Sequence, residues 1–424
     1  MHKTQFGKYL KKSAEPDVRK SMDRRGLRWA ARSLTRMTGK ALPGQLPLYV
    51  SSPLTQLAWA LMLFIGGILV SATLVTGQLP LGIYWRLSLL MISWLFTVSG
   101  ARYLVIVIHH QCLHHQFSGS RFWDQVVGEL VSLLTLTQDF SSYQADHIGD
   151  HHSKKLATLR DPDLRLLFEL GFQPGTNVRT LWHHLCLTLI ASRFHLKLIR
   201  FRLRSNFLTA RPHRRIMAVG SWAALLSFAW FHHLLLAIIL AYLFPTIFLY
   251  NISALLQYLS EHQWARIKLP GETDKLHLAR LTKGRFVGEP APPADLPIPQ
   301  AIVAWIRWIL RMLLIHLPAR IFVLVGDLPA HDWHHRAPRI QSWPDALYGR
   351  QHDIDRGCPG WPEPPTEIWG LGNAIHQLFT FWASLPKMQQ GSEDGNVTPP
   401  DVFVPLPPTF GVLDRLEKRD NRHA

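Results

Sequence analysis

HHQCLHH (residues 109–115) and DHIGDHH (residues 146–152) are the two stretches that decide how this 424-residue chain is interpreted. His110 and His114 are four residues apart, and the second stretch repeats that spacing. On a helix, residues four apart lie one turn apart on the same face, so each stretch can direct two imidazoles at one point. We therefore interpret this segment as half of a metal site.

A third stretch, HDWHH (residues 331–335), places three histidines at positions i, i+3 and i+4, which also share one helical face. His262, in SEHQW, ends a long apolar run. None of the three cysteines lies in a Cys-x-x-Cys motif, which argues against a closed structural zinc site. Imidazole-rich sites without thiolates suit iron, copper, zinc or nickel, and the spacing leaves this choice open.

Two long uncharged stretches, residues 41–85 and 216–260, indicate a membrane protein. Each contains 45 residues, whereas one helical pass needs about 20. We predict an all-α integral membrane protein with four transmembrane helices in two hairpins and a cytoplasmic helical cap that carries three histidine boxes. The predicted spans are residues 53–76, 84–108, 216–232 and 234–258.

The distribution of basic residues predicts the orientation in the membrane. The formal net charge is +17, and the first 40 residues hold 12 Lys or Arg against 3 acidic residues. Residues 193–215 hold 8 Lys or Arg and no acid, whereas the turn at residues 77–82 is uncharged. This is the positive-inside pattern, and it favours membrane insertion over nucleic-acid binding. Both termini and all histidine boxes are expected on the cytoplasmic side, in the inner membrane if the protein is bacterial.

Three regions are predicted along the chain: a basic N-terminal segment (1–49), a membrane domain (50–383) and a polar, proline-rich tail (384–424). Within the first region, residues 26–38 are expected to form an amphipathic helix on anionic lipid, with a solvated tail as the alternative. Residues 301–325 are apolar enough to cross the membrane. We expect them to lie at the interface instead, because a crossing would separate HDWHH from the other histidines.

The order of these motifs resembles the membrane fatty acid desaturase family and its hydroxylase relatives. The resemblance rests on H-x3-H-H at residues 110–115, H-x3-H-H at 147–152 followed by DPD, SEH at 260–262 and H-x2-H-H at 331–335. It extends from about residue 50 to residue 340. It implies a di-iron centre that uses O2 to remove hydrogen from an unactivated C–H bond of a fatty acyl or acyl lipid substrate.

The resemblance also implies the site residues. The implied metal ligands are His110, His114, His115, His147, His151, His152, His262, His331, His334 and His335. Glu261, Asp161 and Asp163 are expected to hydrogen-bond to these ligands, although the two aspartates could instead cap a helix at Pro162. His109 offers an alternative pairing with His114. No catalytic residue is expected outside the metal ligands.

The chain shows neither a heme segment nor a flavin-binding glycine motif. Electrons are therefore expected from a separate ferredoxin-like or cytochrome-like donor. The H-x3-H spacing also resembles membrane alkane hydroxylases, so a hydroxylase of alkanes or fatty acids is the alternative to a desaturase. A non-catalytic lipid-binding protein is the second alternative. A zinc-dependent membrane hydrolase is disfavoured, because up to ten imidazoles exceed what an open zinc site uses.

Overall fold

A computed structural model describes residues 17–23 and 27–387, which form a mostly helical fold. The α-helices are α1 Val18–Ser21, α2 Ala31–Thr38, α3 Pro53–Val75, α4 Ile83–Tyr103, α5 His110–Leu113, α6 Arg121–Thr135, α7 Phe140–Asp146, α8 Pro162–Glu169, α9 Val178–Ile190, α10 Ser192–Arg204, α11 Pro212–Phe231, α12 Leu235–Ala237, α13 Tyr250–Glu261, α14 Asp274–Leu281, α15 Ile298–Arg311, α16 Leu317–Phe322, α17 His331–Arg336, α18 Ala346–Asp355 and α19 Leu371–Ser384. The π-helical turns are Leu104–His109, His147–His151, Ser205–Thr209, Ile238–Leu249 and Met312–His316. The 3₁₀ turns are Arg28–Ala30, Leu328–Ala330 and Trp343–Asp345.

Four of the described helical segments are long and apolar enough to cross a membrane: Pro53–Val75, Ile83–Leu113, Leu235–Glu261 and Ile298–Phe322. The last three are continuous helices that contain π-helical turns. Many large apolar side chains on these helices are exposed, including Leu69 on the first. A broad apolar surface of this kind is expected where a protein faces lipid. These observations confirm the prediction of a mostly helical protein with four membrane-length helices.

The set of four differs from the predicted spans in one member. The predicted span at residues 216–232 corresponds to α11, a 20-residue helix whose first turn carries Arg214 and Arg215, and α11 is not one of the four. The fourth is instead Ile298–Phe322, the helix expected at the interface. Its buried residues Trp308 and Met312 pack with Leu34 of α2, whereas its carboxyl part, α16, contacts α4. Its interfacial placement remains a prediction.

The first two long helices form a tightly packed hairpin. Ser52 caps α3 by accepting a hydrogen bond from the backbone nitrogen of Thr55, and Pro53 occupies the first helical position, where its missing N–H costs nothing. Along the hairpin, Gly67 lies directly against Thr97 of α4. Because glycine has no Cβ, the two backbones approach closely, as is usual between membrane helices.

A small parallel sheet was not predicted from the sequence. Strand β1 (Lys283–Phe286) pairs with β2 (Thr366–Trp369) in the register Lys283 to Thr366. All four residues of β1 are buried. The sheet packs beside the third histidine box, since β1 contacts α17.

Part of the predicted organisation lies outside the described residues. This applies to residues 1–16 and 24–26 of the N-terminal segment and to residues 388–424 of the C-terminal tail. The predicted helix at 26–38 corresponds to the 3₁₀ turn and α2, which together cover residues 28–38. The boundaries of the three regions remain a prediction.

Candidate metal centre

The first histidine box lies at the end of the helix Ile83–Leu113. The turn Leu104–His109 is π-helical, so it holds one more residue than a regular turn and changes the direction of the side chains that follow. After this turn, the rings of His110 and His114 lie together, with centroids 5.0 Å apart. The four-residue spacing therefore places these two rings side by side, as the sequence predicted.

The two other histidines of this box lie elsewhere. His109 is fully buried and stacks 5.8 Å from the ring of Phe140. His115 was implied as a ligand, but the structure places it in neither histidine cluster described below. Its backbone has a φ of 57°, which turns the chain, and its Nε2 lies 3.3 Å from the amide nitrogen of Gln144.

The second box also lies on a π-helical turn, His147–His151, which follows α7 directly. The aspartate that starts α7, Asp139, accepts a hydrogen bond from the backbone nitrogen of Ser142 and fixes where this helix begins. His152 ends the turn, and its ring centroid is 4.5 Å from that of His147. The wider π-helical turn lets all three histidines of the box face inward.

The third box forms the short helix α17. Within it, the buried carboxylate of Asp332 accepts hydrogen bonds from Arg350, including one of 2.9 Å from Nη2, which anchors α17 to α18. His262 arrives from another direction, at the carboxyl end of α13, and is held by a bridge to Thr282. Sequence analysis missed Arg350, because an isolated arginine far along the chain gives no sign of its partner.

These elements bring nine histidines together in two adjacent clusters. The first cluster contains His110, His114, His147, His152 and His334. The second cluster contains His151, His262, His331 and His335. Within each cluster, one nitrogen from every residue lies within 4.8 Å of all the others. The clusters touch where the rings of His152 and His335 stack at 4.4 Å.

The nitrogen spacings fit ligands around a metal ion. Nε2 of His334 lies 3.1 Å from Nε2 of His114 and 3.2 Å from Nε2 of His152, and one ring proton cannot satisfy both contacts. In the second cluster, Nε2 of His262 lies 3.2 Å from Nε2 of His151. Two nitrogen atoms that bind the same ion at about 2.0–2.1 Å are separated from each other by roughly 3.0–3.4 Å.

The environment also favours the neutral imidazoles that metal binding requires. Burial, followed by repulsion from neighbouring histidines, lowers the pKa of His334 and His335 well below the usual value. The same causes lower the pKa of His114 to about 4. Nε2 of His147 is buried and has no hydrogen-bond partner among the described residues, as expected for a nitrogen that could bind a metal ion.

His151 is the exception in the second cluster. Burial lowers its pKa, but Asp161, followed by Asp163 and Glu261, outweighs burial and raises the pKa to about 9. Nδ1 of His151 lies 3.0 Å from a carboxylate oxygen of Asp161 and 3.8 Å from one of Asp163. This contact leaves Nε2 of His151 directed at His262.

The three carboxylates expected around the ligands all lie beside the second cluster. Asp161 has both of the roles considered for it: one oxygen contacts His151, and the other caps α8 by accepting a hydrogen bond from the backbone nitrogen of Asp163. Glu261 approaches Nε2 of His331 at 3.2 Å. It is paired with the buried Arg285 at 3.5 Å, a partner that sequence analysis did not identify.

Two further histidines of the described residues, His184 and His195, do not join the clusters. Nε2 of His184 contacts the backbone oxygen of Leu170 at 2.7 Å. His195 makes a similar contact with the backbone oxygen of Leu189 at 2.9 Å. One nitrogen of each ring therefore has a backbone partner within the helical packing.

The model of the Fatty acid desaturase family matches residues 85–288. The match includes the first two boxes and His262, whereas the third box lies beyond it. No curated protein matches the sequence. Over this segment the chain is similar to the fatty acid desaturase family, which confirms the resemblance seen in its histidine boxes.

Proposed function

We propose that the protein is a membrane-bound, O2-dependent di-iron desaturase that introduces a double bond into an acyl chain. The observation that carries this proposal is the convergence of nine histidines into two touching clusters. The match of residues 85–288 to the desaturase family supports an oxidoreductase of this type. A packing role for the histidines explains neither the contacts between ring nitrogens nor the buried Nε2 atoms of His110 and His147, which have no partner among the described residues.

In this proposal each cluster holds one iron ion. The five residues of the first cluster would hold one ion, and the four residues of the second cluster would hold the other. Two iron ions would supply the activation of O2 that removal of hydrogen from an unactivated C–H bond requires. Asp161 holds the ring of His151 in one tautomer, and Glu261 sets the charge beside His331.

A cavity of about 990 Å³ provides room for the substrate. Its lining includes His147 and His151 at the centre, and apolar residues such as Val105, Ile106 and Ala254. This volume is at the upper end of the roughly 300–1,000 Å³ range of small-molecule sites, as a long chain requires. The apolar wall keeps water away from the carbon that reacts.

A hydroxylase is the second candidate function. Both reactions begin with removal of hydrogen from a C–H bond, and the position of the next group that reacts decides the product. The observation that favours a hydroxylase is the H-x3-H-H spacing shared by the first two boxes. Analysis of the product, an unsaturated chain or an alcohol, separates the two functions.

We propose that a separate acidic electron donor, ferredoxin-like or cytochrome-like, docks at a second cavity. This cavity, of about 1250 Å³, is lined by His114, His152 and His335. Its basic lining residues are Arg121, Lys154, Arg266, Lys268 and Arg339. A basic rim attracts an acidic partner, so the rate with a reconstituted donor should fall as ionic strength rises. A rate independent of salt would exclude this docking mode.

The proposed orientation places the histidine clusters and both termini in the cytoplasm. Two of the long helices, Ile83–Leu113 and Leu235–Glu261, reach the clusters with their carboxyl ends, which supports one common face for the centre. The basic segments give that face its cytoplasmic assignment. Labelling of single cysteines on either side of sealed vesicles tests this orientation.

The decisive experiment measures metal in detergent-purified, iron-supplied protein. We expect about two irons per chain in the wild type and a clear loss in both His151→Ala and His334→Ala. His184→Ala is the matched control, because its ring contacts a backbone oxygen and lies outside the clusters. Folded wild-type protein without stoichiometric metal would refute the enzyme and leave a lipid-binding role. Analysis of lipids from cells that express each variant then identifies the reaction.

A further inference from the structure

Three buried arginines, Arg214, Arg285 and Arg350, are each paired with a carboxylate. Arg285 lies 3.5 Å from Glu261, and Arg350 lies 2.9 Å from Asp332. Such pairing is expected, because a buried charge without a counter-charge is costly.

Arg102 and Arg202 lack such a partner. Their side chains are buried, with exposures of 1% and 6%, and no ion pair among the described residues includes either of them. Both guanidinium groups lie over the ring of Tyr250, at 5.0 Å and 4.6 Å from its centroid. Two positive charges therefore meet around one aromatic ring without an acidic partner.

Some hydrogen-bond donors around this ring have no acceptor among the described residues. Arg202 donates to the backbone oxygen of Thr246 at 2.8 Å and to the side-chain oxygen of Asn251 at 2.9 Å. Nε and Nη2 of Arg102 and Nδ2 of Asn251 are buried and have no partner among the described residues. All three unsatisfied atoms are donors, so the group that completes them must be an acceptor.

Part of this group of residues lines the cavity proposed for the substrate. Arg202, Tyr250 and Asn251 line it, and so do Val105 and Ile106, which follow Arg102 by one helical turn. The cavity continues to His147 and His151.

Acidic residues also line this cavity, but each described one has a partner of its own. Glu169 pairs with Lys197 at 2.6 Å, Asp163 lies 3.8 Å from His151, and Asp146 accepts a hydrogen bond from Gln138. They leave the two arginines without a counter-charge.

We propose that Arg102, Arg202 and Asn251 bind the oxyanion of a lipid, a carboxylate or a phosphate, whose acyl chain occupies the same cavity. The identity of that lipid as substrate rests on the proposed function, whereas the binding of the anion does not. Planar guanidinium groups form paired hydrogen bonds with both oxyanions, and these hydrogen bonds are stronger where water is excluded. A fixed head group also sets which carbon of the chain lies beside His147 and His151.

The test measures binding in metal-free protein purified in an uncharged detergent, so it is independent of catalysis. Three amphiphiles with the same saturated C16 chain are compared by isothermal titration and by the shift in melting temperature: palmitic acid, hexadecyl phosphate and hexadecanol. At least one anionic amphiphile should bind 10-fold or more tightly than the alcohol. The stronger of the two identifies the head group. Equal affinity of all three would overturn the proposal.

Variants of Arg102 and Arg202 test whether these two side chains bind the anion. Arg102→Gln and Arg202→Gln should each weaken binding of the anion by at least 10-fold and leave binding of hexadecanol unchanged. Arg102→Lys, which keeps the charge, should retain part of the affinity and covers the case in which one glutamine variant does not fold. Arg179→Gln, an exposed arginine outside the cavity, is the matched control and should bind like the wild type.

The stability of the ligand-free variants separates binding from a structural role. Because removal of an unpaired buried charge relieves a cost, Arg102→Gln should melt at the same temperature as the wild type or higher. A lower melting temperature together with unchanged affinity for the anion would assign the arginine to packing and overturn the proposal. Wild-type anion binding in a protein that lacks activity when iron-loaded would instead refute only the desaturase function.

Discussion

His151 and Asp161 lie 3.0 Å apart, with the carboxylate fully buried and Nδ1 of the imidazole directed at it. The opposite nitrogen, Nε2, faces His262 at 3.2 Å. An imidazole that donates Nδ1–H to a carboxylate keeps the lone pair of Nε2 free for a metal. The pair therefore joins the backbone of α8, which Asp161 also caps, to the second histidine cluster.

Replacement of this carboxylate tests its role toward the metal. We expect Asp161→Asn to lower metal affinity by roughly 10–100-fold, the usual effect of removing a hydrogen-bonding partner from a ligand. Asparagine is a good helix cap, so the fold should persist. Metal retained after dialysis against graded chelator, measured by mass spectrometry, gives the affinity. Asp163→Asn is the comparison variant and should lower metal affinity less, since that carboxylate lies 3.8 Å from Nδ1 of His151. Equal retention in Asp161→Asn and wild type would contradict the assignment.

The neighbouring residues His114 and His115 provide a second test. Nε2 of His114 contacts that of His334 at 3.1 Å, whereas His115 lies outside both clusters beside Gln144. His114→Ala should therefore reduce iron content, and His115→Asn should keep the wild-type content. Asparagine suits the positive φ of this position, so strain is avoided. Metal loss in the His115 variant equal to that of His114→Ala would restore His115 as a ligand.

Local spacing explains why so much of the centre could be predicted. Histidines four residues apart share a face on any helix, so the pairing of His110 with His114 follows from the sequence alone. Which of His109 and His110 lies beside His114 could not be predicted from the sequence, because it depends on the π-helical turn Leu104–His109. A π-helical turn leaves no periodic signal in a run of apolar residues such as LVIVI, and the direction of each ring after it could not be foreseen.

Long-range pairings were beyond prediction for a different reason. Strand β1 is only four residues long, and its partner lies about 80 residues further along the chain. Its sequence, KGRF, lacks the alternation of a half-buried strand because all four residues are buried. Likewise, the contact of Arg285 with Glu261 depends on where β1 is placed, which only the folded structure determines.

The close contact of α3 with α4 predicts a contrast between two adjacent glycines. A Cβ at Gly67 would lie 2.5 Å from Oγ1 of Thr97, whereas a Cβ at Gly66 would meet nothing within 4 Å. We expect Gly67→Ala to destabilise the protein by about 1–3 kcal/mol, the usual cost of overpacking. Gly66→Ala should be neutral or slightly stabilising, because alanine favours helix more than glycine does. Melting temperatures in detergent measure both effects, and equal temperatures would show that the helices are less tightly packed than described.

The hydrogen bonds of Glu272 predict that the stability of the loop beside the second cavity depends on pH. It accepts hydrogen bonds from Arg266 at 2.7 and 3.0 Å and from Arg280 at 3.2 Å. Burial raises the pKa of Glu272, but hydrogen bonds from Arg266 and from the backbone nitrogen of Leu269 outweigh burial and lower it to about 2.

Because the folded pKa lies below the unfolded value, the stabilisation is complete above about pH 4.5 and is lost as the pH falls towards 2. Hydrogen exchange of residues 266–273 should therefore stay slow at pH 5 and accelerate between about pH 4 and pH 2, after correction for the intrinsic exchange rate. In Glu272→Gln the loop should exchange faster at pH 5 and lose this dependence. Asp274→Asn is the control, since Asp274 pairs with Lys154 and Lys268 at the exposed surface and should change exchange little. A loop equally protected in Glu272→Gln and wild type at pH 5 would show that the carboxylate does not hold it in place.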